Sequence, residues 1–571
     1  MPCGDFVRYH AVVLPILPSA RLILWLGIIV YAAEAAHAAQ AAGANAPQSF
    51  YTVTAEMALA RHEPRLAAQQ YAAGAQRDAS LLPRAVQVAA ETLQPSIGLP
   101  LAERWLSVDP HSAAAHLAAA AAALSLHRID QATGQYRALL ASAAEGAEAE
   151  FAAVEKELLE SSNNYGARQV AEHLAANYPA SPAAQRLLGF AALRADDPMA
   201  AMRALQAAIA AGAADDEART LLQALRRARV LTGDVDAPLT EARAELDQSD
   251  TADRRIDYAL LLLAAKREAQ AREQLMPLLE RPETAPEALR LLGLIEFQDG
   301  DDAAAGQHFF QMITSGHFLD DGFYYQGLIA ERHADLDRAL TSYARVQGGA
   351  NGLAAMLRAA TILRTHGEAA ESDDLLDQLL TEEPLSAPDI LAARADLDNQ
   401  AGDGAGAARQ FAAAIAEFPD SPELHYARAS FLDERGEVDA ALRELGSVLK
   451  GRPDDPAAQN ALGYTLADHA RDLSRARKLI DRAYALAPKS AAIRDSLGWV
   501  LYRQGHAADA LPLLKDAFSD EPGGDIGAHL GEVLWKLGQR PEAEKIWSQA
   551  GALDLDNRLL KATRQRLRAQ R

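Results

Sequence analysis

The chain has 571 residues, 78 acidic against 56 basic side chains, a formal net charge of −22 and only 6% aromatic residues. That charge repels phosphate, so it argues against broad binding to nucleic acid or to an anionic membrane surface. One cysteine, Cys3, leaves no disulfide framework, no cysteine–zinc site and no thiol catalysis in the body of the chain.

Near the N-terminus, Arg21 precedes the apolar run LILWLGIIVYAA, followed by AEAAHAAQAAG with small-residue cleavage sites such as Ala36-His37-Ala38. The run falls short of the roughly 20 apolar residues a membrane span needs. Extending it backwards meets Arg21, Pro18 and Pro15. Residues 1–42 therefore read as a secretory signal, and the expected location is the periplasm. An uncleaved anchor in the inner membrane is the alternative, and the only route to a membrane. The flank before Arg21 is long, which suggests that the true start lies further along. Cys3 precedes the apolar run, so the exported chain carries no thiol.

Residues 43–49 (GANAPQS) read as a linker. From residue 50 a repeat of about 34 residues sets in. Residues 50–231 form a degenerate array. In it Ala67 and Tyr71 fit the second helix of a first hairpin, Pro110 ends a second, Ala132 and Tyr136 mark a third and Pro179 closes a fourth. Leu188-Gly189 with Ala201, Leu205 and Ala208 marks the fifth. Residues 232–249 (TGDVDAPLTEARAELDQS) break the pattern and read as a long inter-helix loop or a joint. Residues 250–453 resume it: Ala271 and Leu275, then Leu292-Gly293 with Phe309, then Gly327 with Tyr343. Three further units turn at Gly367, Gly402 and Gly436 and end at Pro384, Pro419 and Pro453.

Residues 454–556 hold the clearest units. Leu462-Gly463, Leu497-Gly498 and Leu530-Gly531 share a column. Ala476, Ala510 and Ala543 follow, then the large residues Ile480, Leu514 and Trp547, then Ala483, Ala517 and Ala550. Small residues let two helices cross closely, the large one fills the gap beside them, and Pro488 and Pro522 end second helices. The first of these units has one extra turn residue (DHARDLS). This is the tetratricopeptide helix–turn–helix pattern. The expected fold is all-α: a solenoid of about 14–15 such hairpins, with residues 557–571 as a capping helix.

No metalloprotease, nucleophile-elbow or phosphate-loop motif is present. Gly402, Gly404 and Gly406 lie in a predicted turn with no preceding strand. Asp554 and Asp556 lack the rest of a calcium loop. His469 reads as a surface or groove residue. No cofactor, metal or catalytic group is expected, so function falls to a surface. First helices of stacked hairpins line a concave groove. In the last three units its candidate residues are Asn460, Tyr464, Asp495, Trp499, Tyr502, Arg503, His529, Glu532, Trp535 and Lys536, with Tyr324 further back. Trp, Tyr and Arg dominate protein-recognition hot spots, so the expected partner is a protein or peptide. Trp499 and Trp535 equally fit simple packing between helices.

The segments DSLGWVLYRQG, AHLGEVLW and LDNRLL, with DGFYYQGLIAERHADLDRAL from Asp321 to Leu340, resemble the exported tetratricopeptide-repeat proteins of Gram-negative bacteria. That group includes outer-membrane lipoproteins, some of which are adaptors bringing cell-wall hydrolases to the periplasmic carboxyl-terminal processing protease. The resemblance covers the region from about Ala285 onward. It implies a non-enzymatic scaffold or adaptor, with that protease as partner. A structural part in cell-envelope assembly or polysaccharide export is the alternative. The lipoproteins carry a cysteine directly after the apolar run, where this chain has AEAAHAAQA. That departure implies a soluble periplasmic form.

Overall fold

The structure, a computed structural model, describes residues 48–569 apart from 62, 143–145, 213–214, 282–283 and 554–556. The signal-like segment, Cys3, most of the linker, Asp554 and Asp556 lie outside the described residues. Among the described residues there are 31 α-helices and no strand, and no helix is long and apolar enough to cross a membrane.

The helices pair into fifteen consecutive hairpins and a final single helix. In the first half these are α1–α2 (Gln48–Ala60, Pro64–Ala75), α3–α4 (Leu82–Glu91, Pro95–Val108), α5–α6 (Ala113–Ser125, Ile129–Ser142), α7–α8 (Ala147–Glu160, Asn164–Asn177), α9–α10 (Pro182–Arg194, Pro198–Ala210) and α11–α12 (Asp215–Leu231, Asp236–Gln248). The middle holds α13–α14 (Ala252–Ala264, Glu268–Leu275), α15–α16 (Ala285–Asp299, Asp302–Thr314), α17–α18 (Leu319–Arg332, Leu336–Tyr343), α19–α20 (Gly352–Thr365, Ala369–Glu382), α21–α22 (Ala387–Gln400, Gly404–Glu417) and α23–α24 (Pro422–Glu434, Val438–Gly451). The last three are α25–α26 (Pro456–Asp468, Leu473–Leu486), α27–α28 (Ala491–Arg503, Ala507–Asp520) and α29–α30 (Gly524–Lys536, Arg540–Leu553), closed by α31 (Arg558–Ala569).

Two kinds of cap start these helices. Where a hairpin begins, Ser112, Ser181, Ser421 and Ser490 accept from the backbone N–H three residues on. Within a hairpin, Asp197, Asp301, Asp335, Asp403 and Asp472 do the same for the second helix. Each satisfies a backbone donor that the helix leaves unpaired. The prolines that end second helices are tied as well. The carbonyls of Pro110, Pro179, Pro419, Pro453 and Pro488 accept from His116, Gln185, His425, Gln459 and Arg494, always six residues further on. The same position thus fastens these five hairpins to the end of the previous one, whatever polar residue fills it.

Packing within a hairpin follows one rule. A Cβ placed on the first-helix glycine would run into a large side chain of the second helix: Gly189 into Leu205, Gly293 into Phe309, Gly327 into Tyr343, Gly463 into Ile480, Gly498 into Leu514 and Gly531 into Trp547. Those partners are all buried. The separation is 16 residues in every pair except Gly463–Ile480, where the extra turn residue makes it 17. In that turn Ala470 and Asp472 both take positive φ, 50° and 39°.

Residues 232–249 are helical from Asp236 to Gln248 rather than a long loop. Pro238 lies in the first turn, where its missing N–H breaks no helical bond. As in the α7–α8 hairpin, the two helices here pack only sparsely; Arg226 and Arg229 of α11 reach Glu241 and Glu245 of α12, while α11 leans on α10 and α12 on α13.

The solenoid winds far enough to meet itself. Arg65 pairs with Glu417 at 2.6 Å and Arg128 with Asp420 at 3.1 Å. His127 stands 3.4 Å from Glu423 and within 2.8 Å of the Arg452 guanidinium. Burial holds the His127 imidazole below its usual range, with the Arg452 charge adding to the effect and Glu423 opposing it. Lys266 pairs with Asp520 further along. Beside these contacts a cavity of about 440 Å³ is walled by Pro64, Leu66 and Pro95 on one side and Leu380, Leu391 and Phe418 on the other.

Candidate functional site

Three first helices, α25, α27 and α29, stand side by side at the C-terminal end, and α31 lies across α29. Their shared face carries the polar and aromatic residues that recur at the repeat spacing. The structure sorts these residues into two layers.

The lower layer is buried. His529 Nδ1 and Asp495 Oδ2 are 2.7 Å apart, and these residues are only 2% and 5% exposed. The His529 ring stacks on Trp499 with centroids 4.1 Å apart, and its Nε2 faces the Tyr464 hydroxyl at 3.4 Å. Burial alone would push the imidazole down in pKa, but the Asp495 carboxylate overrides it and holds His529 above its usual range. Burial, reinforced by Asp468 and Asp495, raises the Tyr464 hydroxyl well above the ordinary phenol value. Asn460 is half-buried beside them, and Asn460 Oδ1 and Asp495 Oδ1 lack hydrogen-bond partners. This layer is a polar seam locking α25, α27 and α29 in register. Asp495 and His529 are therefore not groove residues available to a partner, because each spends its charge on the other.

The upper layer faces a cavity of about 760 Å³. Trp499, Tyr502, Arg503 and Glu532 line it. Trp499 does both jobs. Its ring is buried against His529, while Nε1 donates to Asp468 Oδ1 at 3.1 Å at the groove wall. Arg503 donates to the Asp468 carbonyl and lies over the Trp499 ring at 5.5 Å. Tyr502 donates to Glu532 at 3.1 Å, and burial beside that carboxylate pushes its hydroxyl up to about 12.

Two expected groove residues lie elsewhere. Trp535 packs against Trp547 at 5.4 Å between α29 and α30, which is the packing reading. Tyr324 sits among Tyr325 and Tyr343 in the middle array. His469, read as a surface or groove residue, pairs with Asp433 at 2.6 Å.

Sequence reasoning missed the far wall. Helix α31 supplies Leu559, Ala562, Thr563 and Arg566, with Arg566 ion-paired to Glu532. A polar cap was expected there. The signal was the spacing of Leu560, Thr563 and Leu567, all buried, which sets one face of α31 against α29 and turns Arg566 over the groove.

These hairpins, caps and Gly–large pairs define an α-solenoid of tetratricopeptide type. The tetratricopeptide-repeat family model matches residues 399–463, spanning parts of α21 to α25. A TPR repeat-containing protein of Pseudomonas aeruginosa, PA4667, is 31% identical over 214 residues. The match covers 38% of this chain and 36% of that protein, so the chain spans about a third of this relative's length. Among solved structures, yeast Tom70 is similar at 12% identity and TM-score 0.37, over 91% of this chain and 96% of that one. TTC0263, a thermophilic TPR protein of Thermus thermophilus, is similar at 22% identity and TM-score 0.28, over 32% and 97%.

Proposed function

We propose that this chain is a non-enzymatic periplasmic scaffold that holds a segment of a partner protein in the C-terminal groove, and that it delivers substrates to a carboxyl-terminal processing protease. The observation that carries the binding reading is the groove of Trp499, Tyr502, Arg503 and Glu532 against α31. It joins aromatic surface to guanidinium and carboxylate groups, the mixture that dominates protein-recognition hot spots. Lys536 adds an ammonium at the rim with no ion-pair partner among the described residues. The periplasmic location rests on the signal-like run after Arg21, and the protease on the resemblance of the C-terminal half.

The test is a photocrosslinking amino acid at position 502 in cells that make the protein. The expected product is one discrete adduct containing the protease or its substrate, recovered from the periplasmic fraction and weakened by Lys536→Glu. Absence of any adduct from 502 overturns the groove reading. An adduct with a cytoplasmic protein overturns the location and the protease together.

A further inference from the structure

A cavity of about 1090 Å³ lies where α11 and α12 part, and its lining shares no residue with the C-terminal groove. Its walls come chiefly from α9, α11, α12 and α13. Helix α11 is 17 residues long, against 13 or 14 in most of the array. The splay leaves apolar side chains uncovered: Phe190, Leu193, Leu222 and Leu260 line the trough, and Leu222 and Leu260 are 40% and 44% exposed. Large side chains in a solenoid are ordinarily hidden by the next hairpin. Here no hairpin fills the space.

The charge of this trough runs against that of the chain. Five arginines line it, Arg194, Arg219, Arg226, Arg227 and Arg254, with only two carboxylates, Glu245 and Asp257. Arg226 is held by Glu245 at 2.9 Å and Glu241 at 3.5 Å, and Arg219 by Asp257 at 2.8 Å and Asp253 at 3.4 Å. The other three guanidinium groups make no ion pair among the described residues. Arg194 donates to Asn164 and to the Ser161 carbonyl, Arg254 donates to the Glu245 carbonyl, and Arg227 makes no ion pair among the described residues. In a chain of net charge −22, Arg194, Arg227 and Arg254 thus stand beside exposed leucines with no ion pair among the described residues.

We infer that this trough docks an acidic amphipathic helix of a second partner protein. The occupant's chemistry follows from the walls. Helices present no free backbone edge, so an extended peptide would find no ladder to join. A helix needs none, because its own backbone is satisfied and it can offer an apolar stripe to Phe190, Leu222 and Leu260. Carboxylates flanking that stripe meet Arg194, Arg227 and Arg254. With the C-terminal groove this gives the scaffold two docking surfaces of different chemistry, one at each half of the array. The trough stands on its own geometry and survives failure of the groove reading.

The probe is a pair of labelled synthetic peptides of about 20 residues, long enough to form several helical turns on docking. Both carry the same leucine stripe, and the other positions are glutamate in one and lysine in its twin. Fluorescence anisotropy is read against the full chain. Because the protein is strongly acidic, non-specific attraction favours the lysine peptide. The proposal requires the reverse: saturable binding of the glutamate peptide, at least about tenfold tighter than its twin and weakened by salt. Arg227→Glu and Leu260→Glu, both at exposed positions, should each reduce that binding about tenfold with the helical circular-dichroism signal intact. Equal binding of the two peptides, no binding of the acidic one, or binding unmoved by both substitutions overturns it.

Discussion

Gly498 tests the packing rule on which the array rests. A Cβ on Gly498 would lie 2.6 Å from Leu514 Cγ, 2.9 Å from Leu514 Cδ2 and 3.3 Å from the Ala510 carbonyl oxygen. Leu514 is fully buried, and the Ala510 oxygen belongs to the backbone of α28, so α27 and α28 themselves must move apart. In Gly498→Ala two effects oppose each other. Alanine for glycine inside a helix stabilises by about 0.5–1 kcal/mol. A methyl forced into a filled site costs about 1–3 kcal/mol. The clash should win, for a net loss of about 1–2 kcal/mol, and Gly498→Leu should lose more. Gly446 in α24 is the control: a Cβ there meets nothing within 4 Å, so Gly446→Ala keeps only the favourable effect. Urea unfolding followed by tryptophan fluorescence reads the right region, because Trp499, Trp535 and Trp547, three of the five tryptophans, lie in the last three hairpins. Gly498→Ala should lower the midpoint. Adding Leu514→Ala removes the partner of the clash, so the double variant should be less destabilised than the sum of the singles by about 1 kcal/mol or more. If Gly498→Ala raises the midpoint, the close approach of α27 and α28 is not what holds the hairpin.

The buried His529–Asp495 pair makes the C-terminal array pH-dependent. The imidazole is held above its unfolded value of about 6.5, so its stabilising effect is complete below that pH and fades as pH rises through the folded value. Midpoints measured from pH 6 to 9 should fall in the wild type and fall less in His529→Gln. His425, raised by its hydrogen bond to Glu444, should add a smaller trend of the same sign, removed by Glu444→Gln. Contact between turns of the superhelix rests partly on exposed ion pairs, worth only about 0–1 kcal/mol each. Glu417→Arg with Asp420→Arg should therefore leave the helical signal unchanged while enlarging the radius of gyration in solution scattering; an unchanged radius means that the apolar seam around Leu66 and Phe418 suffices. Glu532→Ala removes the acceptor of both Tyr502 and Arg566, so it should loosen α31 and speed hydrogen exchange of that helix without unfolding α27.

What the sequence disclosed and what it hid divide by distance along the chain. The pairs Gly498–Leu514 and Gly531–Trp547 are 16 residues apart within one hairpin, so the column that carries them is also the contact. The extra residue before Leu473 could likewise be turned into a shift of one, and Gly463 duly meets Ile480. Asp495 and His529 are 34 residues apart on neighbouring first helices. A polar residue at that spacing has two possible destinations, the open groove or the seam between stacked helices. The choice depends on how far each hairpin rotates on the last, and no column of letters records that rotation. Trp499 shows the consequence: one ring faces both ways, its plane on His529 and its N–H on Asp468. Arg65 and Glu417 are 352 residues apart, and their meeting depends on the sum of every rotation between them. The stretch 232–249 fails for a different reason. Its Gly, Asp and Pro residues look like loop punctuation, yet Pro238 falls in a first turn that tolerates it. What loosens there is the apolar packing of α11 on α12, which stay joined by ion pairs, and because both helices still form, an ordered, arginine-lined opening is left.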